Sequence, residues 1–271
     1  MQDKWGLIAV SQMGASSGPK YGPNLFDIAH ALDARGAVTL QQGCTIGESL
    51  SAKARGGGSP RFGYYVDQAK ASPALDRWAG IRRNVLKRPF LATAEKFVDT
   101  HQARVVIASA FHPSFSDKMF DMVQGATAFD ACIILRRGCE GSLGLSLARA
   151  GEFTCGVRQA DGTLKRLDFK YGPSDCGMST RPETEQQPLI GMGSGQEGAL
   201  FTADRTMSYA DTGTSGDAVF DERVTLTFKA FDVALEYVLN GRLVGPAAAQ
   251  NSAEVAAFDG AVNTWGDSAS R

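Results

Sequence analysis

The densest chemistry in this 271-residue chain is a run of cations. Arg77, Arg82, Arg83, Lys87, Arg88, Lys96 and Arg104 share residues 77–104 with only Glu95 and Asp99, a local charge of +5 in a chain whose formal total is -1. On a helix, Arg82 and Arg83 followed four to six positions later by Lys87 and Arg88 share a face and offer several donors to phosphate oxygens. A solvated helix face has the same spacing, so both readings stand at this stage. Trp78, Phe90 and Phe97 lie among the cations, where aromatic rings either stack on bases or fill a core.

The three histidines differ in context. His112 precedes Pro113 where an apolar strand hands over to a helix, at the carboxyl edge where open α/β sheets bind ligands. His30 falls inside a predicted helix and His101 in a polar turn. Glycine clusters invite a phosphate reading, since backbone N–H groups at a helix start can cradle an anion. Gly56 to Gly58 and Gly191-Met-Gly-Ser-Gly195 have no strand before them and read as flexible loop. Thr212-Gly-Thr-Ser-Gly-Asp217 looks more like a cradle but lacks the strand, whereas the Gly14 to Gly22 loop has both strand and helix and is the preferred anion position or a plain connection. No serine or cysteine occupies a strand-turn-helix elbow, so nucleophilic hydrolysis has little support. The candidate substrate or polyanion contacts are therefore Arg82, Arg83, Lys87, Arg88, Lys96 and His112, with no catalytic residue and no metal ligand assigned.

Composition narrows the classes. With 43% hydrophobic and 21% charged residues, the chain has the material for a large core and is neither disordered nor fibrous. A near-neutral total excludes a uniformly basic nucleic-acid coat and an acidic tail protein, so any polyanion contact rests on a local patch. The longest apolar runs fall far short of the roughly 20 residues that span a bilayer, and the N-terminus lacks an apolar signal segment. A cytoplasmic location is the expectation. The cysteines, Cys44, Cys132, Cys139, Cys155 and Cys176, are odd in number and form no Cys-x-x-Cys pair. Reduced, mostly buried thiols are expected.

These residues need elements to hold them. Trp5 to Val10 reads as a buried strand, Gly14 to Pro23 as a loop, and Leu25, Ile28, Ala29 and Leu32 recur at helical spacing from a cap at Asn24 to Gly36. Thr45 to Ala54 predicts a weak helix, Arg55 to Pro60 a linker, Phe62 to Val66 a strand, and residues 68–98 helices broken near Pro73 and Pro89. Arg104 to Ser109, Ser114 to Ala126 and Ala131 to Leu135 form strand, helix and strand with short loops, a βαβ unit with parallel strands covered on both faces. Asp161-Gly162 between Glu152 to Val157 and Thr163 to Phe169 signals an antiparallel hairpin. Residues 180–218 read as loop, Val224 to Leu239 as an amphipathic helix, and 246–271 as a flexible C-terminal tail after one α/β domain over 1–245.

Several short motifs resemble the glycosyltransferase family 3 superfamily of anthranilate phosphoribosyltransferase, and its YbiB-type branch most closely. They are Ser72-Pro-Ala-Leu75, Ile81 to Phe90 with Thr93-Ala-Glu-Lys96, Leu135-Arg-Arg-Gly-Cys-Glu-Gly141, and Pro173-Ser-Asp-Cys-Gly177. The likeness runs in order over about residues 5 to 245. It implies a nucleoside-phosphorylase-like α/β domain of the phosphoribosyltransferase class, with a central mostly parallel sheet flanked by helices. The family's N-terminal helical domain and its Gly-Thr-Gly-Gly-Asp loop would lie upstream of this chain.

The departures from the family bear on activity. Where the resemblance would place magnesium-holding Asp-Glu, this chain has Leu143 and Gly144; Glu95-Lys96 replaces the Gly-Pro of the substrate channel, and Ser72 a histidine. Only Arg82 resembles a substrate-binding arginine of the family. A hard dication needs oxygen ligands, so ordinary phosphoribosyl transfer is not expected and no cofactor is, magnesium entering only if transfer is retained. The YbiB-type likeness implies single-stranded nucleic acid as the partner and a homodimer. The alternatives are a divergent phosphoribosyl or nucleoside glycosyltransferase acting on a phosphorylated small molecule, with Arg82 and His112 in its site, and a structural subunit.

Overall fold

The computed structural model describes residues 11–14, 24–37, 39–41, 63–81, 91–98, 103–110, 112–139, 142–182 and 201–251. The chain divides into two compact units, Met1–Ala103 with Gln187–Asp217 and Arg104–Gln186 with Ala218–Arg271, so the span expected as one domain comprises both. The strand expected over Trp5 to Val10, the helix over Thr45 to Ala54 and the linker after it lie outside the described residues.

In the first unit, β1 (Ser11–Gly14) and β2 (Thr39–Gln41) flank β3 (Tyr64–Asp67) in a three-stranded sheet, both pairs parallel. Strand β1 begins one residue beyond the stretch expected as strand and meets the expected loop only at Gly14. Helix α1 (Asn24–Asp33) ends as its sequence predicts. Gly36 adopts φ +69, its N–H donates to the Asp33 carbonyl, and the Ala37 N–H donates to that of Leu32, a pattern that satisfies the last helical carbonyls. Ala37 and Leu32 then share a buried cluster with Ile28 and Ala203.

Ala203 belongs to a helix that the polar composition of 180–218 conceals. Helix α6 (Ala203–Thr212) stands where loop was expected. Its caps explain it: the Thr202 hydroxyl accepts from the Arg205 N–H at 3.2 Å, and Gly213 closes the last turn at φ +80. Ala203 and Met207 supply the apolar contact with α1. Between them, α2 (Gln68–Ala71), α3 (Pro73–Ile81), α4 (Leu91–Ala94) and the 3-10 turn Glu95–Phe97 follow β3, with the expected break before Pro73.

The second unit is built on the predicted βαβ. Strand β4 (Val105–Ala110) pairs parallel with β5 (Ala131–Arg136), and α5 (Pro113–Gly125) connects them. Ser116, Met119, Phe120 and Val123 bury one stripe of α5 at helical spacing. The rest of the sheet differs from a mostly parallel one. Strand β6 (Gly151–Arg158) pairs antiparallel with β5, and β7 (Leu164–Tyr171) antiparallel with β6 through the expected Asp161-Gly162 turn, so the order β4-β5-β6-β7 is a mixed sheet. The molecule is α/β, with a mixed four-stranded sheet flanked by helices.

Burial of Ala131 to Leu135 on both sides follows from helices on both faces. A Cβ on Gly156 would lie 2.8 Å from Phe120 of α5 and 3.0 Å from Cys132, which marks that face as the α5 side. On the other face α7 (Ala218–Asn240) packs its Phe231 edge-on to Phe153 at 5.4 Å, and Phe153 stacks on Phe169 at 4.9 Å. Such aromatic pairs add roughly 0.5–1.5 kcal/mol beyond their buried area. Pro246 opens a further element: α8 (Gly245–Gln250) buries Ala247, so 246–250 is helix where a flexible tail was expected. No described helix is long and apolar enough to cross a membrane.

The sheet also sorts the thiols. Cys132 and Cys155 are buried, and burial pushes the Cys132 thiol up to about 12 and that of Cys155 well above its ordinary value. Cys139 and Cys176 are partly exposed. Because the thiolate is the reactive form, a thiol-reactive probe with peptide mapping should label Cys139 and Cys176 in the native protein and Cys132 and Cys155 only after denaturation. Native labelling of Cys155 would contradict this sheet.

Candidate functional site

The residues singled out in sequence do not fall into one described site. Arg82, Arg83, Lys87 and Arg88 lie outside the described residues. Lys96 is exposed on the 3-10 turn of the first unit, and Arg77 is exposed on α3. His112 belongs to the second unit, at the carboxyl end of β4. It is exposed and extended (φ -94, ψ 144), as a residue before proline must be, and its ring lies 6.3 Å from that of Phe115 without capping α5.

Arg104 leaves the candidate patch. Its Nε donates to the Asp130 carboxylate at 2.9 Å, and its carbonyl accepts from the N–H groups of Asp130 and Ala131, fastening the start of β4 to that of β5. The basic character thereby narrows to residues 77–96, where six cations meet only Glu95 and the net charge is still +5.

A second basic cluster appears that the sequence reading did not select. The ladder places Arg136 opposite Glu152 and Glu152 opposite Lys170, so three adjacent strands present cation, carboxylate, cation in one row. Glu152 pairs with Arg136, with Arg137 at 3.2 Å and with Lys170 at 3.9 Å. Its side chain is only 12% exposed, whereas those of Arg137 and Lys170 are at least half exposed. Three cations around one carboxylate leave a local charge of +2 toward solvent, at the carboxyl end of β5. The Arg-Arg doublet closing an apolar strand was visible in sequence. Its partners were not, because Lys170 reaches Glu152 only through the register.

The described residues of the loop after this doublet are tied to one another. Arg137 sits at φ +62, and a Cβ on Gly138 would lie 2.1 Å from the Ser142 carbonyl oxygen. The Cys139 N–H donates to the Gly144 carbonyl at 2.7 Å, and the Leu145 N–H donates to the Thr227 hydroxyl at 3.1 Å. This is the loop in which the family resemblance would place magnesium ligands. The residues do not fit that ion: Leu143 and Gly144 carry no side-chain oxygen, and the Ser142 hydroxyl donates to the Cys139 carbonyl and accepts from the Gly144 N–H.

The cradle reading of residues 212–217 also fails on geometry. The N–H groups of Thr214, Gly216 and Asp217 donate to the hydroxyls of Thr212, Thr214 and Ser215, and the Gly213 N–H donates to the Tyr209 carbonyl. An anion would find these donors taken, and the Asp217 carboxylate, paired with Arg205 at 3.1 Å, would repel it. Of the other glycine loops only Gly14, within β1, is described. At the carboxyl end of β3, Asp67 caps α2 by accepting from the Ala69 N–H at 3.0 Å, and the adjacent Gln68 is 4% exposed with no acceptor for its amide nitrogen among the described residues.

No protein-family model matches the chain, and a search of curated proteins finds no match.

Proposed function

We propose that this chain binds polyanions, single-stranded nucleic acid foremost, through the basic segment 77–96, and that it does so on a glycosyltransferase-family-3-type α/β framework of the YbiB kind without ordinary anthranilate phosphoribosyl transfer. One observation carries the reading: six cations against one acid in 20 residues of a chain that is otherwise slightly acidic. Arg82, Arg83, Lys87, Arg88 and Lys96 are the contacts in this reading, with Arg77 beside them. The exposed cations Arg137 and Lys170 offer a further phosphate contact, and His112 lies at the carboxyl end of β4, next to the strand that ends in Arg136. The want of a side-chain oxygen at Leu143 and Gly144, with the Ser142 hydroxyl already hydrogen-bonded on both sides, speaks against metal-assisted phosphoribosyl transfer.

A second reading, a divergent glycosyltransferase taking a phosphorylated small molecule, is favoured by Gln68, a buried amide lacking an acceptor at the carboxyl end of the central parallel strand. One experiment separates the two. Fluorescence anisotropy of a labelled single-stranded oligonucleotide is followed against salt, with and without phosphoribosyl pyrophosphate and magnesium. Polyanion binding predicts an affinity that falls steeply with salt, by about 0.7 in log–log slope per phosphate neutralised, and little competition from the small molecule. Absence of binding at low salt sinks the first reading. Competition at micromolar phosphoribosyl pyrophosphate supports the second.

A further inference from the structure

Strand β7 is an edge of the four-stranded sheet, and an edge presents backbone donors and acceptors that invite another strand. Here that edge is covered by side chains imitating a strand. The Lys170 N–H donates to Gln250 Oε1 at 2.8 Å, and Gln250 Nε2 donates back to the Lys170 carbonyl at 2.9 Å. One amide side chain thus makes both bonds that a paired residue would make. Asn251 Nδ2 donates to the Asp168 carbonyl at 3.2 Å, and at the far end Gln124 Oε1 accepts from the Leu164 N–H at 2.7 Å.

Leu164, Asp168 and Lys170 therefore turn backbone groups outward, and strand alternation makes Arg166 turn the same way. Among the described residues the amides leave the Leu164 carbonyl, the Asp168 N–H and both groups of Arg166 uncovered. A twofold centred on Leu167 sets Arg166 of one chain opposite Asp168 of another, and Asp168 opposite Arg166. In that register the two residues exchange four backbone bonds, and Arg166, which within its own chain pairs with Asp168 and with Asp117, each at 2.8 Å, also faces Asp168 of the other copy, so the pairs join into a network across the seam. Shifting the register by two residues would instead bring Arg166 against Lys170.

We propose that the β7 edge is a homotypic strand-pairing surface, kept closed by Gln250 and Asn251 at the end of α8, and that displacing α8 lets a second copy of the chain pair antiparallel with it. The charge complementarity of the Leu167-centred register selects a second copy as occupant. This inference is independent of the polyanion reading.

The test is sedimentation velocity over a wide concentration range on the full chain and on Gln250→Ala/Asn251→Ala, with circular dichroism to verify folding. The double variant is expected to self-associate at least tenfold more tightly than the unmodified protein, and its Lys170 amide to exchange hydrogen faster at dilution. Adding Arg166→Glu, which sets Glu against Asp168 of the other copy as well as removing the pairs with Asp117 and Asp168 of its own chain, should reverse the association while the circular dichroism spectrum stays that of the folded chain. Gln250→Glu, which keeps the acceptor and loses the donor, provides a milder opening should the double variant fold poorly, and should give an intermediate shift. Sedimentation of either folded variant indistinguishable from the unmodified chain would overturn the proposal, as would association that persists with Arg166→Glu.

Discussion

Replacing Arg82, Arg83, Lys87 and Arg88 together by glutamine should weaken single-stranded oligonucleotide binding by about two orders of magnitude at 0.1 M salt. Each phosphate neutralised on a single strand contributes about 0.7 to the slope of log affinity against log salt, so losing four contacts should flatten that slope by about 3. Glutamine keeps much of the side-chain length and hydrogen-bonding capacity, which isolates charge from packing. Arg104→Gln is the matched control. Its guanidinium pairs with Asp130 at the start of the second unit, so its loss should flatten the slope by no more than about 0.7, the share of a single contact, although it lies in the same basic run. Equal losses in the two proteins would show that overall charge, rather than segment 77–96, does the binding.

The largest single-residue effect on stability is expected at Arg158. Its Nε donates to the Phe129 carbonyl at 2.9 Å, Nη1 to that of Gly162 at 2.7 Å, and Nη2 to those of Val123 and Ala126, both at 2.7 Å. The last two belong to the C-terminal turn of α5, where a cation also opposes the negative end of the helix dipole. Gly162 is the hairpin turn, with φ +84. One guanidinium therefore closes the helix, the approach to β5 and the β6–β7 hairpin.

Hydrogen bonds to charged groups contribute roughly 1.5–3 kcal/mol each, but these share one side chain and are not additive. Arg158→Met should cost about 3 kcal/mol, read as a lower midpoint in urea with an unchanged slope. Arg158→Lys should recover little, because an ammonium lacks the planar fork that reaches divergent carbonyls. Full recovery by lysine would reduce the role of Arg158 to charge alone.

Much of the second unit was legible in the sequence. The apolar runs at 104–109 and 131–135 around an amphipathic segment can only be a βαβ unit, and Asp161-Gly162 marked the hairpin to within a residue. What was not legible depended on distant contacts. Helix α6 has few apolar residues and rests on its caps and on α1, so its own composition reads as loop. Strand β6 runs against β5 across a loop whose described residues are tied by the Ser142 hydroxyl and by a bond from Leu145 to Thr227, more than 80 residues away.

The candidate site divides in the same way. The concentration of charge in 77–104, the Arg136-Arg137 doublet and the want of carboxylates at 143 and 144 are matters of residue identity and need no fold to be read. Which of those charges are paired, and with what, follows from the fold. Arg104 is tied to Asp130, the hydroxyls of 212–217 consume that loop's own donors, and Glu152 gathers three cations because the register sets β5, β6 and β7 side by side. Net charge is a sum that any sequence displays, whereas its availability to a ligand depends on partners brought together by pairing and packing.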